Sequence, residues 1–166
     1  RSTPKPSSAA SDVYKRQGMK VIYFNRSYIG SIDFPARPAQ SIGHVMRESD
    51  IVSIHLPGDK CNHGLINEEQ ISLMKDNSFF INTSRGEVVD QKALIEALST
   101  RRIAGGGLDV FENEPNIPQS LIDLDNVTLL PHIGSATKEV RDEMGLLAVE
   151  NLISYFGKKD CPSRVV

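Results

Sequence analysis

Five short apolar runs recur along the chain, each closed by turn or polar residues and separated from the next by residues with helical spacing. They are KVIYF (20–24), IVSIHL (51–56), SFFIN (78–82), residues 103–111 around a Gly105-Gly106-Gly107 run, and NVTLL (126–130). Short runs rich in β-branched and aromatic residues suit strands. Near-continuous apolarity, rather than alternation, suits strands covered on both faces. Between them the spacing is helical. Residues 37–49 show weak periodicity, Asn67 caps a short helix through Met74, and Asp90 caps one with Ala93, Leu94, Ala97 and Leu98 on its buried face. Thr137 caps a last helix through about Phe156, with Val140, Met144, Leu147, Ala148 and Leu152 on one side. Strands alternating with helices predict an α/β fold with a doubly wound parallel sheet. Ligands of such a sheet bind in the crevice beyond the carboxyl ends of the strands.

Size and composition narrow the function classes. The 166 residues suffice for one domain and are too few for two well-built ones. A net charge of -2, with 39% hydrophobic and 24% charged residues, describes an ordinary globular protein and excludes a basic nucleic-acid binder. No apolar run approaches the roughly 20 residues of a membrane span. Cys61 and Cys161 lack the density of a disulfide scaffold and read as free thiols of a reducing compartment, the cytoplasm. No metal-ligand set is read in the sequence. Residues 1–17, RSTPKPSSAASDVYKRQ, have Pro, Ser and basic residues without apolar periodicity, the composition of a disordered tail, and a non-native extension is expected over a native flexible leader.

The residues just after each run are polar or ionisable: Asn25-Arg26-Ser27, His55-Leu56-Pro57, Thr83-Ser84-Arg85-Gly86, Asp109 with Glu112 and Glu114, and His132-Ile133-Gly134-Ser135. Arg binds a carboxylate in a bidentate fork. A histidine backed by a carboxylate is held in one tautomer and made more basic. Arg85, Glu114 and His132 can therefore combine an anion clamp with an acid/base pair. Each residue alone also fits a surface or turn position; their joint occurrence at successive strand ends carries the functional reading.

INTSRGEVVDQKALIEAL, GGGLDVFENEP, LLPHIGSAT and SDIVSIHLP, in this order-compatible spacing, resemble segments of the D-isomer-specific 2-hydroxyacid dehydrogenases, and the resemblance spans residues 19–166. It implies that residues 18–166 are part of an NAD(P)-binding domain with its C-terminal helix, acting on a 2-keto or 2-hydroxy acid. Arg85 would pair with the substrate carboxylate. His132 would transfer the proton. Glu114, chosen over Glu112 because it immediately precedes Pro115, would hydrogen-bond His132. Asp109 would hold the nicotinamide carboxamide, while His55, Leu56, Pro57, Thr83, Ser84 and Gly134 would line the cofactor. Asn25-Arg26-Ser27 offers no acid for a ribose hydroxyl but an Arg for a phosphate, so NADP is expected over NAD. Glyoxylate and hydroxypyruvate are the favoured substrates, with phosphoglycerate, lactate and phosphite as rivals, and a homodimer is expected at full length.

The chain also departs from the family. No Gly-x-Gly-x-x-Gly precedes KVIYF, so the pyrophosphate cradle and the central strand bearing it are absent. The family's separate substrate domain is expected to be missing as well. The 166 residues by themselves are expected to be inactive, with unpaired sheet edges. A dinucleotide-sensing, corepressor-like protein and an inactive truncated fragment are the alternative readings.

Overall fold

A computed structural model describes residues 17–27 and 35–164. The expectation of a disordered extension over 1–17 thus falls, save for Gln17, outside the described residues. The chain divides into two compact units, one reaching to Pro131 and the other beginning at His132.

The larger unit holds strands β1 (Val21–Tyr23), β2 (Ala36–Pro38), β3 (Ile51–Ile54), β4 (Phe79–Asn82), β5 (Gly105–Leu108) and β6 (Val127–Leu129). Its helices are α1 (Ile42–Glu48), α2 (Glu68–Ser72), α3 (Gln91–Ser99) and α4 (Gln119–Ile122). All pairing is parallel: β1 with β2, and β3, β4, β5 and β6 in chain order. The five sequence-predicted strands are all present, and the predicted parallel α/β architecture with them. β2 is an addition. It occupies residues where weak helical spacing was read, and α1 begins only after Ser41, whose hydroxyl accepts from the His44 N–H at 3.2 Å.

The helix caps follow the sequence. Asn67 accepts from Gln70 N at 3.3 Å and Asp90 from Ala93 N at 3.0 Å, each satisfying one N–H that has no partner within its own helix. Strand alternation places Val52 and Ile54 of β3, and Phe80 and Asn82 of β4, on the same side as Leu108 of β5. There the four apolar ones join Met46, Ile71, Leu94, Leu98 and Leu121 in one core. The expectation of two buried faces holds for this side only. On the other, Ile51 is 48% and Phe79 47% exposed. Gly105 and Gly107 of β5 bring no side chains there; the Phe79 ring and Ile81 Cδ1 lie 3.2 and 3.1 Å from where their Cβ atoms would stand. Among the described residues no strand joins the two sheets, so β1 and β3 each present one unpaired edge.

The smaller unit is dominated by α5 (Lys138–Phe156). Thr137 Oγ1 accepts from Val140 N at 3.3 Å, the predicted cap. Asn151 ties the tail to the helix: its Nδ2 donates to Ser163 Oγ at 3.2 Å and its Oδ1 accepts from Ser163 N at 3.1 Å. The apolar stripe read in the sequence is only part of this helix's surface, because Leu146, Val149, Ile153, Tyr155 and Phe156 add apolar groups elsewhere on it, and no residue of α5 is buried. No described helix is long and apolar enough to cross a membrane.

Candidate functional site

Parallel strands aim their carboxyl ends at one rim, and the loops leaving β3, β4 and β5 meet there. After β3, Ser53 Oγ and His55 Nε2 stand 2.9 Å apart. Beyond His55 and Leu56, the carbonyl of Pro57 accepts from Asn62 Nδ2 at 3.0 Å, which fixes the return of the loop. Gly58 lies directly against the next loop: a Cβ there would come within 2.3 Å of Glu87 Oε1 and 2.9 Å of Arg85 Cγ. Pro57-Gly58 and Arg85 are therefore neighbours, as a shared rim requires.

The β4 loop is organised by Asn82, a residue outside the predicted site. It is 2% exposed. Its Nδ2 donates to Arg85 O at 3.0 Å, and its Oδ1 accepts from Ser84 N at 3.0 Å and Ser84 Oγ at 2.9 Å. Thr83 and Arg85 are exposed and Ser84 is half-buried. The Arg85 guanidinium donates to the Ser84 carbonyl at 2.6 Å. At Gly86 a Cβ would stand 2.0 Å from Phe111 C and 2.5 Å from Glu112 N, so the backbones of the two loops touch.

After β5, Asp109 is 4% exposed and its N–H donates to Asn82 O at 3.0 Å. Glu114 caps its own turn, one carboxylate oxygen accepting from Phe111 N at 2.9 Å, and its peptide bond to Pro115 is cis. Gln91, a buried polar residue at the start of α3, accepts from Glu112 N at 3.2 Å. The larger unit thus brings Pro57, Ser84, Arg85, Asp109 and the Glu114 turn to one rim.

The remaining predicted residues belong to other elements. Asn25, Arg26 and Ser27 leave β1, in the two-stranded sheet; all three are exposed, and Asn25 Nδ2 donates to Ser27 O at 2.8 Å. His132 and Gly134 begin the smaller unit, and His132 has a φ of 54°. Non-glycine residues enter this left-handed region rarely, histidine more readily than most.

Sequence reading missed Gly58, Asn82 and Gln91. For Asn82 a signal was present. Phe80 points into the core, so Asn82, two positions on, must as well, and a polar residue at an inward strand end needs partners for its amide. For Gly58 and Gln91 nothing local marks the contact, which is made across loops.

The chemistry of the β1 turn fits one end of a phosphorylated dinucleotide. The β1 turn carries a guanidinium and a hydroxyl and no carboxylate, the donor set for a ribose phosphate. No Gly-x-Gly-x-x-Gly occurs in this sequence. Among the described residues no group of three or more His, Cys, Asp or Glu comes together to hold a metal ion.

Comparison with known proteins agrees with this geometry. Residues 7–134 match the family described as D-isomer specific 2-hydroxyacid dehydrogenase, NAD binding domain. The glyoxylate reductase of Thermococcus litoralis is 45% identical over 158 residues, covering 90% of this chain and 45% of that protein. That of Aeropyrum pernix is 42% identical over 161 residues, covering 95% and 48%. Among solved structures, the NADPH-dependent glyoxylate/hydroxypyruvate reductase of Sinorhizobium meliloti, in complex with NADP and malonate, superposes with a TM-score of 0.89 at 32% identity. It is matched over 96% of this chain and 49% of its own. D-lactate dehydrogenase from Lactobacillus jensenii, with NAD+, gives 0.84 at 28% identity, over 96% and 52%. The chain spans about half the length of the relatives it matches.

Proposed function

Because this chain belongs to the D-isomer-specific 2-hydroxyacid dehydrogenase family through its NAD-binding domain, we propose that the full-length protein reduces a small 2-keto acid, glyoxylate or hydroxypyruvate, with NADPH. The observation that carries the reading is the exposed Arg85, whose turn is tied from within by the buried Asn82 and lies backbone-to-backbone against the Phe111-Glu112 peptide that leads to Glu114. A cation held this firmly beside an acidic turn is suited to a small carboxylate rather than to general solubility.

In this reading Arg85 receives the substrate carboxylate in a bidentate fork and draws density from the keto oxygen. His132 gives its proton to that oxygen and takes it back in the reverse direction. Glu114 favours the protonated imidazole. Asp109 orients the carboxamide of the nicotinamide, and Pro57, Thr83, Ser84 and Gly134 line the cofactor with backbone and short side chains, His55 and Leu56 beside them. The reduced nicotinamide supplies the hydride. Arg26, with Asn25 and Ser27, meets the adenosine phosphate and sets the preference for NADPH. The protein works in the cytoplasm as a homodimer.

The test uses the full-length protein: oxidation of NADPH and NADH with glyoxylate and with hydroxypyruvate, for wild type and for His132→Ala, Arg85→Ala and Arg26→Ala. His132→Ala is expected to lower kcat by about a hundredfold to ten-thousandfold. Arg85→Ala should raise the keto-acid KM and leave the NADPH KM unchanged, and Arg26→Ala should raise the NADPH KM alone. A folded protein that binds NADPH and reduces neither acid overturns the reading.

A further inference from the structure

We infer that Asn82 is a positioning residue for substrate binding, acting through Arg85. The inference rests on the reading of Arg85 as the carboxylate clamp. Asn82 is the only side chain found donating to the Arg85 carbonyl among the described hydrogen bonds, at 3.0 Å, and it is 2% exposed. Its carboxamide is held in orientation from the other end, Oδ1 accepting from both the N–H and the hydroxyl of Ser84. The residue therefore needs a donor and an acceptor at once. Asparagine supplies them in one plane, whereas an ionised aspartate supplies only acceptors.

The position of Asn82 gives this local network its reach. Its side chain points to the core side of β4 while its own carbonyl accepts from Asp109 N at 3.0 Å. One residue thus fixes the start of the Arg85 turn and the end of β5, from which the Glu114 turn departs. Gly86 against Phe111 and Gln91 against Glu112 complete a frame in which Arg85 cannot shift without the acidic turn shifting too. A small keto acid has one carboxylate and one carbonyl to recognise, so the spacing between clamp and reacting carbonyl decides both affinity and orientation.

Asn82→Asp tests this in the full-length protein. It keeps the volume and the acceptor for Ser84, and it loses the donor to Arg85 O while the carboxyl is ionised. Burial raises the pKa of such a carboxyl, so lowering the pH restores the O–H donor. The expected result is a keto-acid KM about tenfold to a hundredfold above wild type at pH 8, the scale of a buried group left unpaired. The NADPH KM should stay within twofold, and the keto-acid defect should shrink as the pH falls when expressed as a ratio to wild type at each pH. A merely structural role would not produce that split or that pH dependence. Should Asn82→Asp fail to accumulate folded, Asn82→Ser removes the donor to Arg85 O without burying a charge and should raise the keto-acid KM more than the NADPH KM. A working wild type whose variants keep the wild-type keto-acid KM, or lose both KM values equally at every pH, sinks the positioning role alone. A wild type that reduces no 2-keto acid removes the substrate reading, and this inference falls with it.

Discussion

Replacing Gly86 by alanine probes the contact that joins the Arg85 turn to the Glu114 turn. The added Cβ would stand 2.0 Å from Phe111 C, 2.1 Å from Phe111 O and 2.5 Å from Glu112 N. These are backbone atoms of a strand exit, and no rotamer change moves them aside. Ordinary carbon contacts lie at about 3.5–4.0 Å, so the two backbones must part by roughly 1.5 Å. Overpacking of this kind costs about 1–3 kcal/mol, and a misplacement of about 1 Å near reacting groups can cost about a hundredfold in rate. Gly86→Ala in the full-length protein should therefore lower kcat/KM for the keto acid about a hundredfold, with a modest loss of stability by urea titration. Gly145, inside α5, is the control: nothing lies within 4 Å of its Cβ position, and alanine there should be neutral or stabilising by up to about 1 kcal/mol. A Gly86→Ala protein with the stability and kcat/KM of wild type would refute the close approach and the rigid frame built on it.

Two further outcomes follow from other parts of the chain. Phe80 is 0% exposed at the centre of the core, and Phe80→Ala should destabilise by about 3–5 kcal/mol, read from the denaturant midpoint; a loss under 1 kcal/mol would show that the core is not centred there. Glu48, hydrogen-bonded by His44 at 2.6 Å and paired with Arg37, has its carboxyl held below the usual range, chiefly by the His44 bond. A depressed folded-state pKa stabilises above the unfolded value of about 4.3 and is lost as pH falls through the lower folded value, so Glu48→Gln should lower Tm slightly at pH 6–7 and the difference should shrink as the pH falls below the unfolded value. A Tm difference that persists in acid would assign the effect to packing instead.

Elements whose signal is local were legible in the sequence. Asn67, Asp90 and Thr137 each accept the backbone N–H that their positions foretold, because a cap is a contact over three residues. The apolar runs gave β1, β3, β4, β5 and β6 for the same reason. β2 was not legible: Ala-Arg-Pro has neither strand propensity nor apolar alternation, and its pairing with Val21–Tyr23 comes from tertiary context. The candidate site residues were read from strand-end chemistry, while the frame around Arg85 was mostly hidden. Gly58 and Gly86 show their purpose only once another loop's atoms are placed against them. Asn82 could have been found by counting two residues on from a core phenylalanine.

α5 has a consequence for how this part of the chain holds its shape. Nineteen residues rise about 28 Å at 1.5 Å each, with one capping hydroxyl at the start, the Asn151 tether near the end and no buried residue. A helix with no buried residue lacks the packing from which most helices in proteins draw their stability. Its helicity is then a conditional quantity, set by whatever removes Leu146, Ile153 and Phe156 from solvent, and the ellipticity of this segment would report occupancy of that surface rather than folding of the sheet.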